Sequence, residues 1–195
     1  MNADQVGVSL GLSDEDKRYL LQLARQTIAA KCQRAHFHVN PPESPILNEL
    51  RGAFVTLSKK GQLRGCIGYV EGVKPLYQTI VEMAEAAAFT DPRFPAVQLV
   101  EVEKIEIEIS VLTPLQRLKN IDEIKIGTHG LLLRKGFYQG LLLPQVAIQY
   151  GWDRETFLDQ TCLKAGLSAG AWREVACEIC IFSADIFSET SHLQN

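Results

Sequence analysis

Between Lys104 and Leu112 the chain alternates apolar and polar residues without a break. Isoleucine or valine stands at every second position, and Glu106, Glu108 and Ser110 stand between them. Successive side chains of a strand point to opposite faces, so this segment predicts a strand with one buried and one polar face. Such strands are typical of antiparallel sheets, whereas parallel sheets are covered on both sides.

Helices and further strands surround this segment. Helical spacing of apolar residues predicts helices at 14–32, 75–90, 145–150 and 154–165. Strand patterns with turn residues between them predict hairpins at 53–57 with 62–70 and at 130–135 with 138–143, and one long closing strand at 174–187. Because helices and strands are mixed without a regular βαβ alternation, we expect an α+β fold with a mostly antiparallel sheet and packed helices.

The composition suits one folded domain. The chain has 195 residues, of which 46% are hydrophobic, enough for one sizeable core. We expect a domain at 13–188 between tails at 1–12 and 189–195. A net charge of −3 argues against nucleic acid as a partner.

Location is predicted from what the sequence lacks. No apolar run approaches the roughly 20 residues that span a bilayer, and the N-terminus has no pattern of a signal peptide. Five scattered cysteines are an odd number, which favours free thiols in a reducing compartment. We therefore expect a cytoplasmic protein with no membrane partner.

Metal and cofactor motifs are absent or unconvincing. Neither phosphate-binding glycine motif nor the cysteine triplet of radical SAM clusters occurs. Cys177 and Cys180 form a C-x-x-C, but the predicted strand would point them to opposite faces. His36 and His38 have no evident partner ligand. We expect no metal and no cofactor.

Several blocks resemble a known family. The segment 63–68, Leu-Arg-Gly-Cys-Ile-Gly, is similar to the hallmark motif of the AMMECR domain family (AmmeMemoRadiSam system protein A). Blocks at 52–57, 86–95, 107–112, 129–131, 142–146 and 152–172 also match, in the same order. The resemblance implies a compact α+β fold with a larger and a smaller subdomain. It also implies a genomic association with a Memo-like protein and a radical SAM protein, without an established activity.

Cys66 is the first candidate for a functional side chain. Strict alternation would place Arg64 and Cys66 on one face of the strand, with Leu63 and Ile67 toward the core. A nearby guanidinium favours the thiolate, so Cys66 would be a reactive thiol. Gly65 and Gly68 would leave room for a ligand. They also permit a bulge, which would interrupt the alternation of side chains between the two faces. The alternative is a small thiol packed beside glycines.

Three other positions carry chemistry. His129, in a His-Gly turn, would act as a base near Cys66 or lie in solvent as a turn histidine. Glu108 would move protons or belong to a solvated strand face. Arg93, after Asp91-Pro92, would clamp an anion or pair with Asp91.

Two functions follow. In the first, Cys66 and Arg64 lie in a cleft that binds a small molecule or peptide, with His129 or Glu108 handling protons. In the second, the chain is a non-catalytic interaction module and the motif is structural. Whether it is an enzyme stays open.

Overall fold

The computed structural model describes residues 6–192. The helices are α1 (Asp14–Cys32), α2 (Leu76–Phe89), α3 (Leu99–Val102), α4 (Pro144–Gln149), α5 (Arg154–Lys164) and α6 (Glu189–His192). The strands are β1 (Ala53–Lys59), β2 (Gln62–Tyr69), β3 (Glu106–Leu112), β4 (Gln116–Arg117), β5 (Gly130–Lys135), β6 (Tyr138–Leu142), β7 (Glu178–Phe182) and β8 (Ala184–Ser188). Short 3₁₀ helices lie at Pro45–Asn48, Ile121–Glu123 and Ala171–Arg173. Helices are mixed with antiparallel sheets, so the predicted α+β class is confirmed.

The chain forms two compact units. The larger unit comprises Leu10–Leu112 and the segment from Ile186 onward. The smaller unit comprises Thr113–Asp185 with the described residues before Leu10. The predicted bounds of a single domain at 13–188 stay a prediction.

Local sequence signals define α1. The Ser13 hydroxyl accepts a hydrogen bond from the Asp16 N–H at 3.1 Å, and the Asp16 carboxylate accepts one from the Ser13 N–H at 3.0 Å. This capping box satisfies donors that the first helical turn leaves unpaired. One face of α1 is buried in the core of the larger unit, at Leu20, Leu21, Leu23, Ala24, Thr27 and Ile28.

The sheet of the larger unit has the order β2-β1-β3-β8. β1 is antiparallel to both neighbours, and Val55 and Leu57 are fully buried between strands and helices. The predicted alternation of β3 is confirmed as far as Ile109, since Ile107 and Ile109 are fully buried while Glu106 and Glu108 are half-buried. It is wrong for Ser110, which is buried as well. This core is shared with α1 and α2.

A bulge interrupts the pairing of β1 with β2. Leu57 pairs with Gly65, but Ser58 pairs with Leu63, so Arg64 is the extra residue. On one side of the bulge, an extra residue reverses which side chains point toward the core and which point away from it. The prediction that Leu63 faces the core is therefore wrong: it is 45% exposed.

The smaller unit has its own sheet, in the order β4-β7-β5-β6. Its core contains Leu131, Phe157 and Leu158, which are fully buried. The Asp153 carboxylate caps α5 by accepting from the Thr156 N–H at 2.8 Å, which satisfies a donor that the first helical turn leaves unpaired.

The prediction of one closing strand at 174–187 is wrong. β7 and β8 belong to different sheets and are separated by Ser183. The Ser183 N–H donates to the Thr113 hydroxyl at 2.9 Å, and the Ser183 carbonyl accepts from the Thr113 N–H at 2.9 Å. These bonds replace ladder pairing at the point where the chain leaves one sheet for the other.

Within residues 6–192, no helix is long and apolar enough to cross a membrane.

Candidate functional site

Cys66 lies on β2, an edge strand of the sheet in the larger unit, directly opposite Thr56 of β1. The Thr56 hydroxyl donates to the Cys66 Sγ, with 3.2 Å between Oγ1 and Sγ. The backbone groups of Cys66 bond to the loop after α2 instead of to β1, as expected in a non-hydrogen-bonded pair, where side chains are close. The thiol is half-buried.

An Asp91–Arg93 ion pair holds Cys66 from the side of the loop. The Cys66 N–H donates to the Asp91 Oδ2 at 2.9 Å, and the Arg93 Nη2 donates to the Cys66 carbonyl at 3.2 Å. Arg93 also donates to both carboxylate oxygens, at 2.9 Å from Nε and 2.6 Å from Nη2. Two open backbone groups of an edge strand are thereby satisfied by one side-chain pair.

The loop conformation follows from its sequence. α2 ends at Phe89, and the prolines after Asp91 and Phe94 prevent the helix from continuing. The Asp91 carboxylate accepts from the Arg93 N–H at 3.1 Å, which closes a tight Asx turn. Asp91 is only 3% exposed, and its bonds to Arg93 hold the pKa of this carboxyl far below its usual range. Arg93 therefore faces a permanently charged partner.

Burial raises the pKa of the Cys66 thiol. The hydrogen bond from Thr56 and the charge of Arg93 act in the opposite direction, while Asp91 and Glu108 raise it further. Removal of the thiol from water is the largest of these effects, so the pKa of Cys66 lies above its ordinary value. That Cys66 is a reactive thiol stays a prediction.

Arg64 binds Glu101, whereas strict alternation predicted that it would lie beside Cys66. Its Nη2 and Nε donate to the Glu101 carboxylate at 3.1 and 3.4 Å, and Lys59 Nζ lies 2.6 Å from the same carboxylate. Arg64 is not among the groups that shift the Cys66 pKa. Within residues 6–192, its buried Nη1 has no hydrogen-bond partner. We call Lys59, Arg64 and Glu101 the Glu101 cluster.

Glu108 lies on the same face of the sheet as the Cys66 thiol. Thr56 pairs with Cys66 on one side and with Glu108 on the other, so the three side chains share a face of the sheet. Glu108 is close enough to raise the Cys66 pKa. Its neighbour Glu106 is bound by the Thr190 hydroxyl. The polar strand face predicted from sequence is therefore placed beside Cys66.

The two motif glycines are explained by close packing. A Cβ on Gly65 would lie 2.2 Å from the carbonyl oxygen of Ala87 in α2. A Cβ on Gly68 would lie 2.3 Å from the ring of Phe54. The space beside each glycine is thus filled by the protein itself.

His129 belongs to the smaller unit. Its Nδ1 accepts from the Lys125 N–H at 3.3 Å, within the turn before β5. Burial lowers the pKa of His129, and Lys125 lowers it further, so the ring is neutral at pH 7. Its described bonds are those of a histidine that closes a turn.

The other cysteines differ in part from expectation. Burial raises the pKa of Cys32, Cys162 and Cys177. Cys180 is buried in β7, and Cys177 lies before that strand, so the prediction that one strand holds both cysteines is wrong. Among the described residues, no group of three or more His, Cys, Asp or Glu side chains is arranged to hold a metal ion.

Thr56 and Glu101 were missed from the sequence. The hairpin register could have identified Thr56, since a two-residue turn at Lys60-Gly61 fixes which residues face each other. The bulge at Arg64 then has to be known as well. Glu101 has no local signal, because it is 37 residues from Arg64.

Comparison with known proteins places these features in a family. The AMMECR1 family model matches residues 21–187. Protein MK0488 of Methanopyrus kandleri is 43% identical over 187 residues, covering 91% of this chain and 90% of that protein. A protein of Thermococcus gammatolerans is 41% identical over 190 residues, covering 91% and 92%. The crystal structure of the uncharacterized protein PH0010 from Pyrococcus horikoshii superimposes with a TM-score of 0.88 at 38% identity, covering 94% of this chain and 96% of that one.

Proposed function

The chain belongs to the AMMECR1 family, and on that premise we propose that it binds an anionic small molecule or peptide at the surface around Cys66 and Arg93. In this proposal the chain acts together with a Memo-like protein and a radical SAM protein in the cytoplasm. The chemistry that follows binding, if any, is left to those partners or to the Cys66 thiol.

The observation that carries the proposal is the Asp91–Arg93 clamp on Cys66. It uses the Nε and Nη2 groups of Arg93, and the Arg93 side chain is still 44% exposed. Within residues 6–192, Nη1 makes no hydrogen bond, so a guanidinium edge is available to a ligand carboxylate or phosphate. A rigidly held cation beside a thiol supports the binding of an anionic ligand at this surface.

Residue roles follow from the geometry. Arg93 attracts the anion, in place of Arg64, which is engaged by Glu101. Cys66 contacts the ligand as a neutral thiol, and Thr56 orients it. Glu108 is the acceptor for a proton if the thiol reacts. His129 has no assigned role, since its bonds are within the smaller unit.

The test compares an anionic with a neutral alkylating reagent. Iodoacetate and iodoacetamide are applied to wild type and to Arg93→Gln, and peptide mass spectrometry gives the rate at Cys66. One charge about 4 Å away is worth about 1 kcal/mol in water, or about fivefold in rate. We expect Arg93→Gln to lower the iodoacetate-to-iodoacetamide ratio at Cys66 by about that factor.

Two controls accompany it. Arg117→Gln removes an arginine that is 76% exposed in the smaller unit, and it should leave the ratio unchanged. Cys32 in each sample reports any general change in accessibility. An unchanged ratio in Arg93→Gln contradicts the anion site.

The second candidate is an interaction module in which the motif is structural. The observation in its favour is that Gly65 and Gly68 are both required by packing. Complete protection of Cys66 from both reagents in the folded protein would favour it. Gel filtration of the chain with the Memo-like and radical SAM proteins of the same genome then tests assembly directly, with Arg93→Gln expected to bind as wild type does.

A further inference from the structure

The end of α1 reverses the chain through a strained residue. Arg34 has a φ of 55°, in the left-handed region that glycine usually occupies. Its N–H donates to the Lys31 carbonyl at 3.1 Å, and the Ala35 N–H donates to the Ala30 carbonyl at 2.9 Å. These two bonds form a Schellman motif, which ends the helix and turns the chain sharply. The following segment then returns to α1.

A groove lies between α1 and that returning segment. Tyr19, Gln22, Leu23 and Gln26 line it from the helix, at the three- and four-residue spacing that puts side chains on one face. Residues 37–40 line the other side. The volume is about 320 Å³, at the lower end of the range of small-molecule sites. We call it the α1 groove, and all of its lining belongs to the larger unit.

The lining of the α1 groove combines polar and apolar side chains and contains no arginine, lysine, aspartate or glutamate. It has five side chains with hydrogen-bonding groups and, on the apolar side, a buried leucine, a half-buried valine and a phenylalanine that is 38% exposed. The five polar residues are Tyr19, Gln22, Gln26, His38 and Asn40. In the described part of the chain, none of these five side chains hydrogen-bonds to protein.

This chemistry fits one class of ligand. Amide side chains offer a donor and an acceptor side by side, which matches the edge of a carboxamide or a nucleobase. Tyr19 and Phe37 add aromatic rings, which favour flat ligands through stacking. Without an arginine, lysine, aspartate or glutamate in the lining, a charged ligand would lose its hydration without gaining a counter-charge.

We propose that the α1 groove binds a small, neutral, planar molecule whose edge carries both hydrogen-bond donors and acceptors, of the nucleobase or carboxamide class. The site is separate from the Cys66 surface, and it stands or falls independently of the function proposed there. Gln22 and Gln26 hydrogen-bond the edge of the ligand, and Leu23 forms the apolar floor.

The experiment titrates the full chain with adenine, uracil and nicotinamide and follows backbone amide signals by two-dimensional NMR. At least one probe should give saturable shifts confined to residues 19–26 and 37–40. Gln22→Ala should weaken that binding by about 2- to 12-fold, the equivalent of one neutral hydrogen bond. Gln26→Ala should have a similar effect.

Gln33→Ala is the matched control, because Gln33 is an exposed glutamine at the C-terminal end of α1 that does not line the groove. It should bind as wild type does, and both groove residues replaced are exposed, so the fold is retained. Shifts that do not saturate, or that fall outside these residues, overturn the proposal. So does a preference for a short uncharged peptide over all three probes, which would make residues 37–40 a peptide-pairing edge instead.

Discussion

Replacing Glu101 with glutamine removes the anion on which Arg64 and Lys59 converge. Both cations belong to the hairpin that carries the family motif, and Arg64 and Glu101 are largely buried, with side chains 11% and 17% exposed. The substitution keeps the size and shape of the side chain, but it replaces one carboxylate oxygen, which accepts hydrogen bonds, by an NH2 group, which donates them. It therefore removes the charge of the Glu101 cluster together with the hydrogen bonds that this oxygen accepts.

The magnitude follows from the pKa. The bonds from Arg64 and Lys59 lower the pKa of Glu101 from 4.5 to about 2. That difference corresponds to about 3 kcal/mol of stability at neutral pH. Lys59 is 35% exposed, so solvent screens its interaction with Glu101. We therefore expect Glu101→Gln to lower the free energy of unfolding by about 2 kcal/mol.

The sign of the pH dependence is fixed by the direction of the shift. A carboxyl whose pKa is lower in the folded state contributes its full stability above its unfolded pKa, near 4.5. The contribution is lost as the pH falls from there toward about 2. At a pH of about 3.5, the difference between wild type and Glu101→Gln should have shrunk by about 1 kcal/mol.

Urea unfolding followed by far-UV circular dichroism measures this difference. Tryptophan fluorescence is unsuitable, because Trp152 and Trp172 are the only tryptophans and both lie in the smaller unit. The matched control is Glu85→Gln, which breaks an exposed pair with Lys31 and should cost at most about 1 kcal/mol. Two results would refute this prediction. One is an equal loss of unfolding free energy in Glu101→Gln and Glu85→Gln. The other is a difference between wild type and Glu101→Gln that is the same at neutral pH and at the acidic pH.

Three further substitutions test the backbone. Lys60→Asn should raise the free energy of unfolding by about 0.5 kcal/mol, because Lys60 (φ 53°) and Gly61 (φ 74°) form a type I′ turn in which asparagine is favoured; urea unfolding measures it. Arg34→Gly should raise the same quantity by about 1 kcal/mol by relieving left-handed strain, and a loss would show that the arginine side chain stabilises the turn. Gly65→Ala should lower the thermal midpoint sharply, because its Cβ would meet the Ala87 carbonyl oxygen at 2.2 Å. The expected loss of stability is about 3 kcal/mol or more, and a midpoint within a degree or two of wild type (less than about 1 kcal/mol) would contradict this.

Elements with local signals were predictable from the sequence. The capping box at Ser13 and the apolar stripe define α1, and Gly61 and Gly136 mark two hairpin turns, both with positive φ. The closing strand at 174–187 was misassigned because β7 and β8 continue the same strand-like composition across Ser183. The change of sheet depends on a bond to Thr113, 70 residues away, which no local pattern reveals.

The residues of the candidate site could be predicted from the sequence, but the contacts between them could not. Cys66, Asp91 and Arg93 were all identified from sequence blocks, yet the clamp that joins them spans 25 residues. The direction of Arg64 depends on a bulge, and a single extra residue turns a side chain to the other face. The pKa of Cys66 depends on its burial, which the motif does not encode.

The path of the chain between the two units bears on how the protein is made. Residues 6–9 and Thr113–Asp185 belong to the smaller unit, and the larger unit resumes at Ile186. A ribosome therefore releases β1, β2 and β3 long before the strand β8, the fourth of their sheet. Until β8 has been synthesised, β3 has an edge without its native neighbour, which is the kind of surface that associates with other chains. The sheet of the larger unit can therefore be completed only after the segment Thr113–Asp185 of the smaller unit has been made.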